Sequence, residues 1–318
     1  MTAGGSSGGE GALVAFRGSI LGVGTDVAGS VRIPSLCCGV YGFKPTADRI
    51  PFAGQTGYPF PRPKLPGVPV VAGPIATSVE DLTLMMTSVM SKRPWKYDVT
   101  AMDIPWRETG LDENARLTIG VLAEDPDHPL HPPVRRALDT AAKALQAAGH
   151  TIVRLPEGPK HSPGLAERIA WQCFGLVWPA GWDIAKQIGE PLVTSVARGF
   201  NPFTKFPPPV SPELDIASQI SELTKAKEAY TDAWRELWLE HNLDVVLAPG
   251  AMSNAPPHDT YGGPAYTVMW NVADVRHAFG GKKNVKIAAL LMLLTVPRWY
   301  HTFWKSLERD RLRPSEGS

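Results

Sequence analysis

Residues 117–155 restrict the possible folds more than any other part of the chain. An apolar run at 117–122 is followed by apolar residues at helical spacing over 134–148, and then by a second apolar run at 151–155. Gly149 stands where a glycine commonly ends a helix. Strands joined through a helix are parallel, because the crossover is too long for a hairpin. The segment therefore predicts an α/β protein with a mixed β-sheet core wrapped by helices.

Periodicity predicts further elements on both sides of this unit. A helix is expected over 8–16, and the longest amphipathic helix over 215–241. Ser78, with Asp81 three residues later, is typical of a helix N-cap. Short strands or extended segments are predicted at 21–23, 31–33 and 244–249.

Composition excludes several classes of function. Of 318 residues, 43% are hydrophobic and 20% charged, which is typical of a globular protein. The net charge of +1, without a basic block, gives no indication of nucleic acid binding. The three cysteines fit neither a disulfide framework nor a zinc site, and we expect Cys37 and Cys38 to be buried free thiols. No metal and no cofactor are predicted.

The termini give expectations about location and domain organisation. No secretory signal follows Met1, so a cytoplasmic protein is expected. The apolar run 287–296 is too short to span a bilayer. A membrane-surface helix over 288–305, with Trp299 and Trp304, is an alternative to a divergent C-terminus, and the sequence favours the divergent C-terminus. No pattern in the sequence specifies an oligomeric state.

Two clusters of glycine and hydroxyl residues lie near the N-terminus. They read GGSSGG at 4–9 and GTDVAGS at 24–30. Glycine is used where backbone adopts positive φ or approaches a ligand closely, so such clusters indicate a site built from main-chain donors. A flexible linker has a similar composition, but the apolar residues at 12–16 between the clusters argue against one.

The chemistry of a serine site needs a proton acceptor and donors for an oxyanion. A serine hydroxyl is a weak nucleophile until a neighbouring group takes its proton, and a second hydroxyl can relay that proton because it both donates and accepts. The nucleophile elbow G-x-S-x-G is absent around Ser30. A phosphate loop is excluded at 24–30, because the lysine that should follow the second glycine is missing. A dinucleotide-binding motif is excluded because Val27 stands in place of its third glycine.

These segments resemble the amidase signature family, whose members hydrolyse carboxamides with a Ser-Ser-Lys triad. The similarity rests on GGSSGGEGAL at 4–13, LGVGTDVAGSVRIPS at 21–35 and GVYGFKPT at 39–46, and it extends to about residue 271. The fungal acetamidase-like and fatty-acid-amide-hydrolase-like branch is the most similar. The resemblance implies a small-molecule amide as substrate.

The same resemblance implies roles for individual residues. Ser30 matches the acylated nucleophile, and Ser6 matches the serine on a cis peptide that relays protons. The amides of Val27, Ala28, Gly29 and Ser30 match the oxyanion hole, although the family more often has glycine at the position of Ala28.

Three further residues are expected to support the site. Ser7 adjoins the relay serine, and Asp26 and Arg32 flank the nucleophile. Because the residues around these two charges are small or apolar, we predict a buried ion pair that holds the turn, rather than two separately solvated charges. Lys44, in GFKPT, is interpreted as structural.

The family's lysine lies upstream of the first serine cluster, and we expect this chain to lack it. The prediction is then an incomplete amidase signature domain over 1–274, truncated at the N-terminus, followed by a divergent segment at 275–318. Three outcomes remain open: an amidase with impaired activity, a non-catalytic remnant that acts as a binding or interaction protein, or a chain that does not fold alone.

Overall fold

The computed structural model describes residues 2–53, 67–106, 115–177, 206–254, 256–258 and 263–274, with positions 189 and 191. The predicted C-terminal segment 275–318 lies outside the described residues, so the domain boundary at 274 stays a prediction. Among the helices of the described part, none has the length and apolar character needed to cross a bilayer.

The second serine cluster begins in an antiparallel sheet of three strands. Strands β1 (Leu21–Asp26) and β2 (Tyr41–Gly42) both pair with β3 (Val71–Ala76), so that β3 lies in the middle. Every residue of β3 is buried. Asp26, the last residue of β1, pairs with Val71, so residues 27–30 of the second cluster follow the strand directly.

Two short helices pack beside this sheet. Helix α1 (Gly8–Ala15) follows the first serine cluster and α2 (Arg32–Cys38) follows the second. A small apolar core joins them to the sheet, and its members are Val14, Val31, Val40 and Ile75. Helix α3 (Val79–Ser91) begins as predicted, because Ser78 Oγ accepts the Asp81 N–H at 3.1 Å. Such an N-cap contributes about 1 kcal/mol.

The extended segment predicted at 31–33 is wrong, because α2 begins at Arg32. The first helical hydrogen bond joins Ile33 N–H to Gly29 O at 2.7 Å. Pro34 does not interrupt it, since the first-turn N–H groups of a helix have no acceptor within the helix. The buried residues of α2 are in its first turn, and Cys37 near its end is exposed. The expectation that both thiols are buried is therefore wrong, because Cys37 is exposed and Cys38 is only partly buried.

The predicted β-α-β unit is confirmed in a second sheet. Strand β4 (Thr118–Val121) pairs in parallel with β5 (Thr151–Arg154). Helix α4 (Pro132–Ala147) connects them, and Gly149 follows it with φ of 90°. Strand β6 (Val245–Leu247) pairs in parallel with the other edge of β4. The α/β class is confirmed, with antiparallel and parallel strands in two three-stranded sheets of the described part.

Three helices complete the larger core against the parallel sheet. They are α5 (Pro163–Val177), α6 (Ile216–Glu240) and α7 (Ala265–Val272). Helix α7 is unusual because all eight of its residues are buried, including polar Thr267 and Asn271. Buried polar side chains need hydrogen-bond partners, and α7 finds them in the turn that carries Ser30.

Candidate active site

The structure brings the two serine clusters together. The N–H of Ser7 donates to the carbonyl oxygen of Ser30 at 3.2 Å. The Ser7 hydroxyl accepts the N–H of Thr25 at 3.2 Å and donates to Thr25 O at 3.4 Å. Gly24 permits this approach, since a Cβ at that position would lie 2.5 Å from Ser7 Oγ. Ser7 therefore joins the first cluster to the end of β1.

Ser6 and Ser30, the predicted relay and nucleophile, differ in exposure. The Gly5–Ser6 peptide bond is cis, as the family resemblance implies, and the Ser6 side chain is exposed. Ser30 is partly buried. Neither hydroxyl donates to or accepts from another residue within the part of the chain that the structure describes. Their chemical roles stay predictions.

Asp26 holds the turn after β1 through its buried carboxylate. Its Oδ1 accepts the Gly29 N–H at 2.9 Å, and its Oδ2 accepts the Val31 N–H at 3.1 Å. The Arg32 guanidinium donates to both oxygens, at 3.1 Å from Nε and 2.9 Å from Nη2. Burial opposes ionisation, but the charge and hydrogen bonds of Arg32 hold the pKa of Asp26 well below its usual range. The predicted buried ion pair is confirmed.

Helix α7 supplies the other half of this network. Arg32 Nη1 donates to Thr267 O at 2.8 Å, and its Nη2 donates to Asn271 Oδ1 at 2.5 Å. Asn271 Nδ2 donates to Asp26 Oδ1 at 2.9 Å. Neither Thr267 nor Asn271 was predicted from the sequence as a site residue. A signal was present, because residues four apart share a helix face and these two are polar in an apolar stretch.

The backbone amides of the turn fall into two groups. The Gly29 N–H donates to Asp26, so it serves the turn itself. The N–H groups of Val27, Ala28 and Ser30 make no hydrogen bond to any described residue. These three amides are the candidate donors to an oxyanion, which needs N–H groups that are not already engaged.

Lys44 is buried beside the network. Its Nζ donates to the carbonyl oxygen of Pro45 at 3.0 Å. Burial and repulsion from Arg32 lower the pKa of Lys44 to about 8, against the attraction of Asp26 and Asp274. The contact with Pro45 fits the structural interpretation of this lysine.

A second buried polar group lies on the other side of α7. His128 Nε2 is 2.9 Å from Glu167 Oε2, and His128 Nδ1 is 3.5 Å from Asp125 Oδ1. The Tyr266 hydroxyl accepts the Asp125 N–H at 3.1 Å and donates to His128 O at 2.9 Å. Burial opposes the charged imidazolium, but the two carboxylates raise the pKa of His128 to about 9. The described residues contain no group of side chains arranged to hold a metal ion.

Stability should depend on pH through His128. Its folded pKa of about 9 exceeds the ordinary value of 6.5 for histidine, so protonated His128 stabilises the fold fully below pH 6.5 and loses this effect as pH rises through 9. The expected loss is up to about 3 kcal/mol of unfolding free energy. His128→Asn should abolish this part of the profile in urea titrations at several pH values.

The difference in unfolding free energy between wild type and variant isolates the contribution of His128. Lys44 has the opposite pH dependence, but it is present in both proteins and cancels. The folded pKa of Lys44 is about 8, below the ordinary value of 10.5 for lysine, so the cost of burying its charge disappears between these pH values and stability increases as pH rises. Parallel profiles for wild type and His128→Asn would contradict the prediction.

Comparison with known proteins identifies the family whose members this chain resembles. The family model described as Amidase matches residues 1–279. A Gibberella moniliformis protein named amidase is 35% identical over 276 residues, covering 86% of this chain and 50% of its own. An Aspergillus oryzae acetamidase is 32% identical over 296 residues, covering 86% and 50%. The chain spans about half the length of the curated relatives it matches.

A solved structure agrees with these relatives. A fatty acid amide hydrolase superposes with a TM-score of 0.73 at 29% identity, covering 86% of this chain and 46% of that protein. The predicted resemblance to fungal acetamidases and fatty acid amide hydrolases is confirmed.

Proposed function

The chain belongs to the amidase family, and from that premise we propose that it is an amide hydrolase in which the substrate acylates Ser30. The main support is the turn held by Asp26, which presents the partly buried Ser30 beside three amides with no partner among the described residues. The amide groups of Val27, Ala28 and Ser30 would receive the oxyanion. Each such donor stabilises a transition state by about 2.7–4 kcal/mol.

The proposed reaction has two stages. Ser30 Oγ attacks the carbonyl carbon of the amide, and its proton passes to the Ser6 hydroxyl, which releases its own proton to the lysine of the Ser-Ser-Lys triad, placed by the family resemblance upstream of the first serine cluster. The tetrahedral intermediate then expels the amine, which takes up a proton, and leaves an acyl ester on Ser30. Water attacks this ester in the same way, releasing the carboxylic acid and restoring the hydroxyl.

The substrate would be a small carboxamide. The relatives are named amidase, acetamidase and fatty acid amide hydrolase, and all three names denote hydrolysis of an amide bond. No cofactor enters the proposed reaction.

Covalent labelling tests the proposal. The chain is incubated with a serine-directed fluorophosphonate, digested and analysed by mass spectrometry, while release of ammonia from acetamide is measured in parallel. We expect the phosphonate on the peptide that contains Ser30, and heat-unfolded protein should not react. Labelling at another serine, or none with folded protein, would refute the assignment.

A second candidate is a protein that binds a small amide at the same turn without turnover. One observation favours it: the Ser6 and Ser30 hydroxyls have no hydrogen-bond partner in the described part of the chain, so nothing there takes the proton. This alternative predicts saturable calorimetric binding of a small amide, together with no labelling and no ammonia release.

A further inference from the structure

The peptide unit between Ala28 and Gly29 is hydrogen-bonded on both sides. The carbonyl oxygen of Ala28 accepts the Thr267 hydroxyl at 2.6 Å. The N–H of Gly29 donates to Asp26 Oδ1 at 2.9 Å. Because a peptide unit is planar, partners on its two opposite sides fix its rotation. One partner belongs to the turn, and the other belongs to α7, 239 residues away from Ala28.

This fixed unit lies between two of the candidate oxyanion donors. The N–H of Ala28 precedes it and the N–H of Ser30 follows it. Rotation of the Ala28–Gly29 plane changes ψ of Ala28 and φ of Gly29, the two dihedral angles that set how this plane is oriented relative to the neighbouring planes with the Ala28 and Ser30 amides. Gly29 has φ of 129°, a region that favours glycine, so its own conformational preference restrains the turn only weakly.

Thr267 is suited to supply the missing restraint. Its side chain is 1% exposed, so water cannot replace it as a donor. Its single hydroxyl proton has Ala28 O at 2.6 Å and Pro264 O at 3.0 Å, and the shorter contact is the one to the turn. Its carbonyl oxygen accepts Arg32 Nη1 at 2.8 Å, which ties the threonine backbone to the same network.

The approach of Thr267 to Gly29 is close enough to exclude a side chain there. A Cβ at Gly29 would collide with Thr267 Oγ1 and would lie 2.7 Å from Ile33 Cδ1. The turn therefore meets the threonine hydroxyl directly, with no intervening group.

We infer that Thr267 is a positioning residue, whose hydroxyl orients the Ala28–Gly29 peptide and thereby aims the amides of Ala28 and Ser30 at the oxyanion. The inference deepens the proposed function and, in its catalytic part, rests on it. Thr267 does not touch the reacting atoms. It acts through the turn, so its loss should lower the rate of acylation more than the binding of a substrate.

Two substitutions separate the hydroxyl from the volume of the side chain. Thr267→Val keeps the size and removes the donor, and Thr267→Ser keeps the donor and removes a methyl group. We expect the valine variant to show about 10-fold faster amide exchange in the peptide that contains residues 27–31, since one hydrogen bond is worth roughly that factor. Labelling by fluorophosphonate should slow by up to about 100-fold, the cost of a misplaced catalytic group. The serine variant should stay within about 3-fold of wild type in both measurements.

Each result has a defined meaning. A merely structural threonine predicts the reverse order, in which Thr267→Ser is the more damaged variant because it leaves a cavity, and that order would overturn the inference. Valine and wild-type proteins with equal exchange would also overturn it. If wild-type protein is not labelled at all, the proposed function fails, and hydrogen exchange alone still decides whether Thr267 holds the turn.

Discussion

Ser30→Ala is expected to lose all labelling by fluorophosphonate and to lower ammonia release by at least about 1,000-fold, since removal of a catalytic nucleophile leaves only the contributions of binding and the oxyanion hole. The fold should be unaffected, because the Ser30 hydroxyl makes no hydrogen bond to a described residue. The contact from Ser7 to the Ser30 carbonyl oxygen involves backbone alone and persists in the variant. Intact-mass spectrometry and an ammonia assay measure both effects.

Ser91→Ala is the matched control for this experiment. Ser91 is exposed at the end of α3, and its hydroxyl donates to Ser88 O at 2.8 Å. The control should label at the wild-type rate, whereas Ser6→Ala should label more slowly, because it removes the proposed relay. Undiminished labelling of Ser30→Ala would show that another residue is the nucleophile.

Arg32→Met is expected to destabilise the protein by about 3–5 kcal/mol, the range found when one partner of a buried ion pair is removed. Asp26 is fully buried, so the variant would leave its carboxylate with two backbone amides and Asn271 but without the guanidinium that pairs with it, and the attraction of Lys44 does not replace the hydrogen bonds of Arg32. The substitution also frees the acceptors Thr267 O and Asn271 Oδ1. Urea unfolding followed by circular dichroism measures the loss.

Arg154→Met provides the same chemical change at the surface. Arg154 pairs with Asp139 at 2.7 Å, but its side chain is 58% exposed, compared with 4% for Arg32. An exposed pair contributes between about 0 and 1 kcal/mol. Losses of equal size in the two variants would contradict the conclusion that burial makes the Asp26–Arg32 pair indispensable.

The sequence predicted the parts of the fold that depend on local pattern. The β-α-β unit follows from two apolar runs and one amphipathic helix, each recognisable without the rest of the chain. The Asp26–Arg32 pair was predictable for a related reason. A buried charge must be paired, and among the small and apolar residues around these two opposite charges there are few other possible partners.

Other parts of the site depend on the tertiary structure. Asn271 is 245 residues from Asp26, and no local pattern reports such a contact. The four successive amides of the turn look equivalent in sequence, yet the fold engages Gly29 with Asp26 and leaves the others. The start of α2 was missed because the apolar residues at 31–33 are also typical of a short strand, whereas in the structure the Asp26 carboxylate accepts the N–H of Val31, the residue before the first helical turn.

The position of α7 in the chain has a consequence for biosynthesis. Arg32 and Asn271 are separated by 239 residues, so a ribosome has made almost the whole described chain before these side chains can meet. Contacts of such long range form late, after the entropy of closing a large loop has been overcome. During translation the Asp26–Arg32 ion pair would therefore stay exposed to water until α7 has been made. A polypeptide released before Asn271 would keep this exposure, and its serine turn would lack the hydrogen bonds from α7.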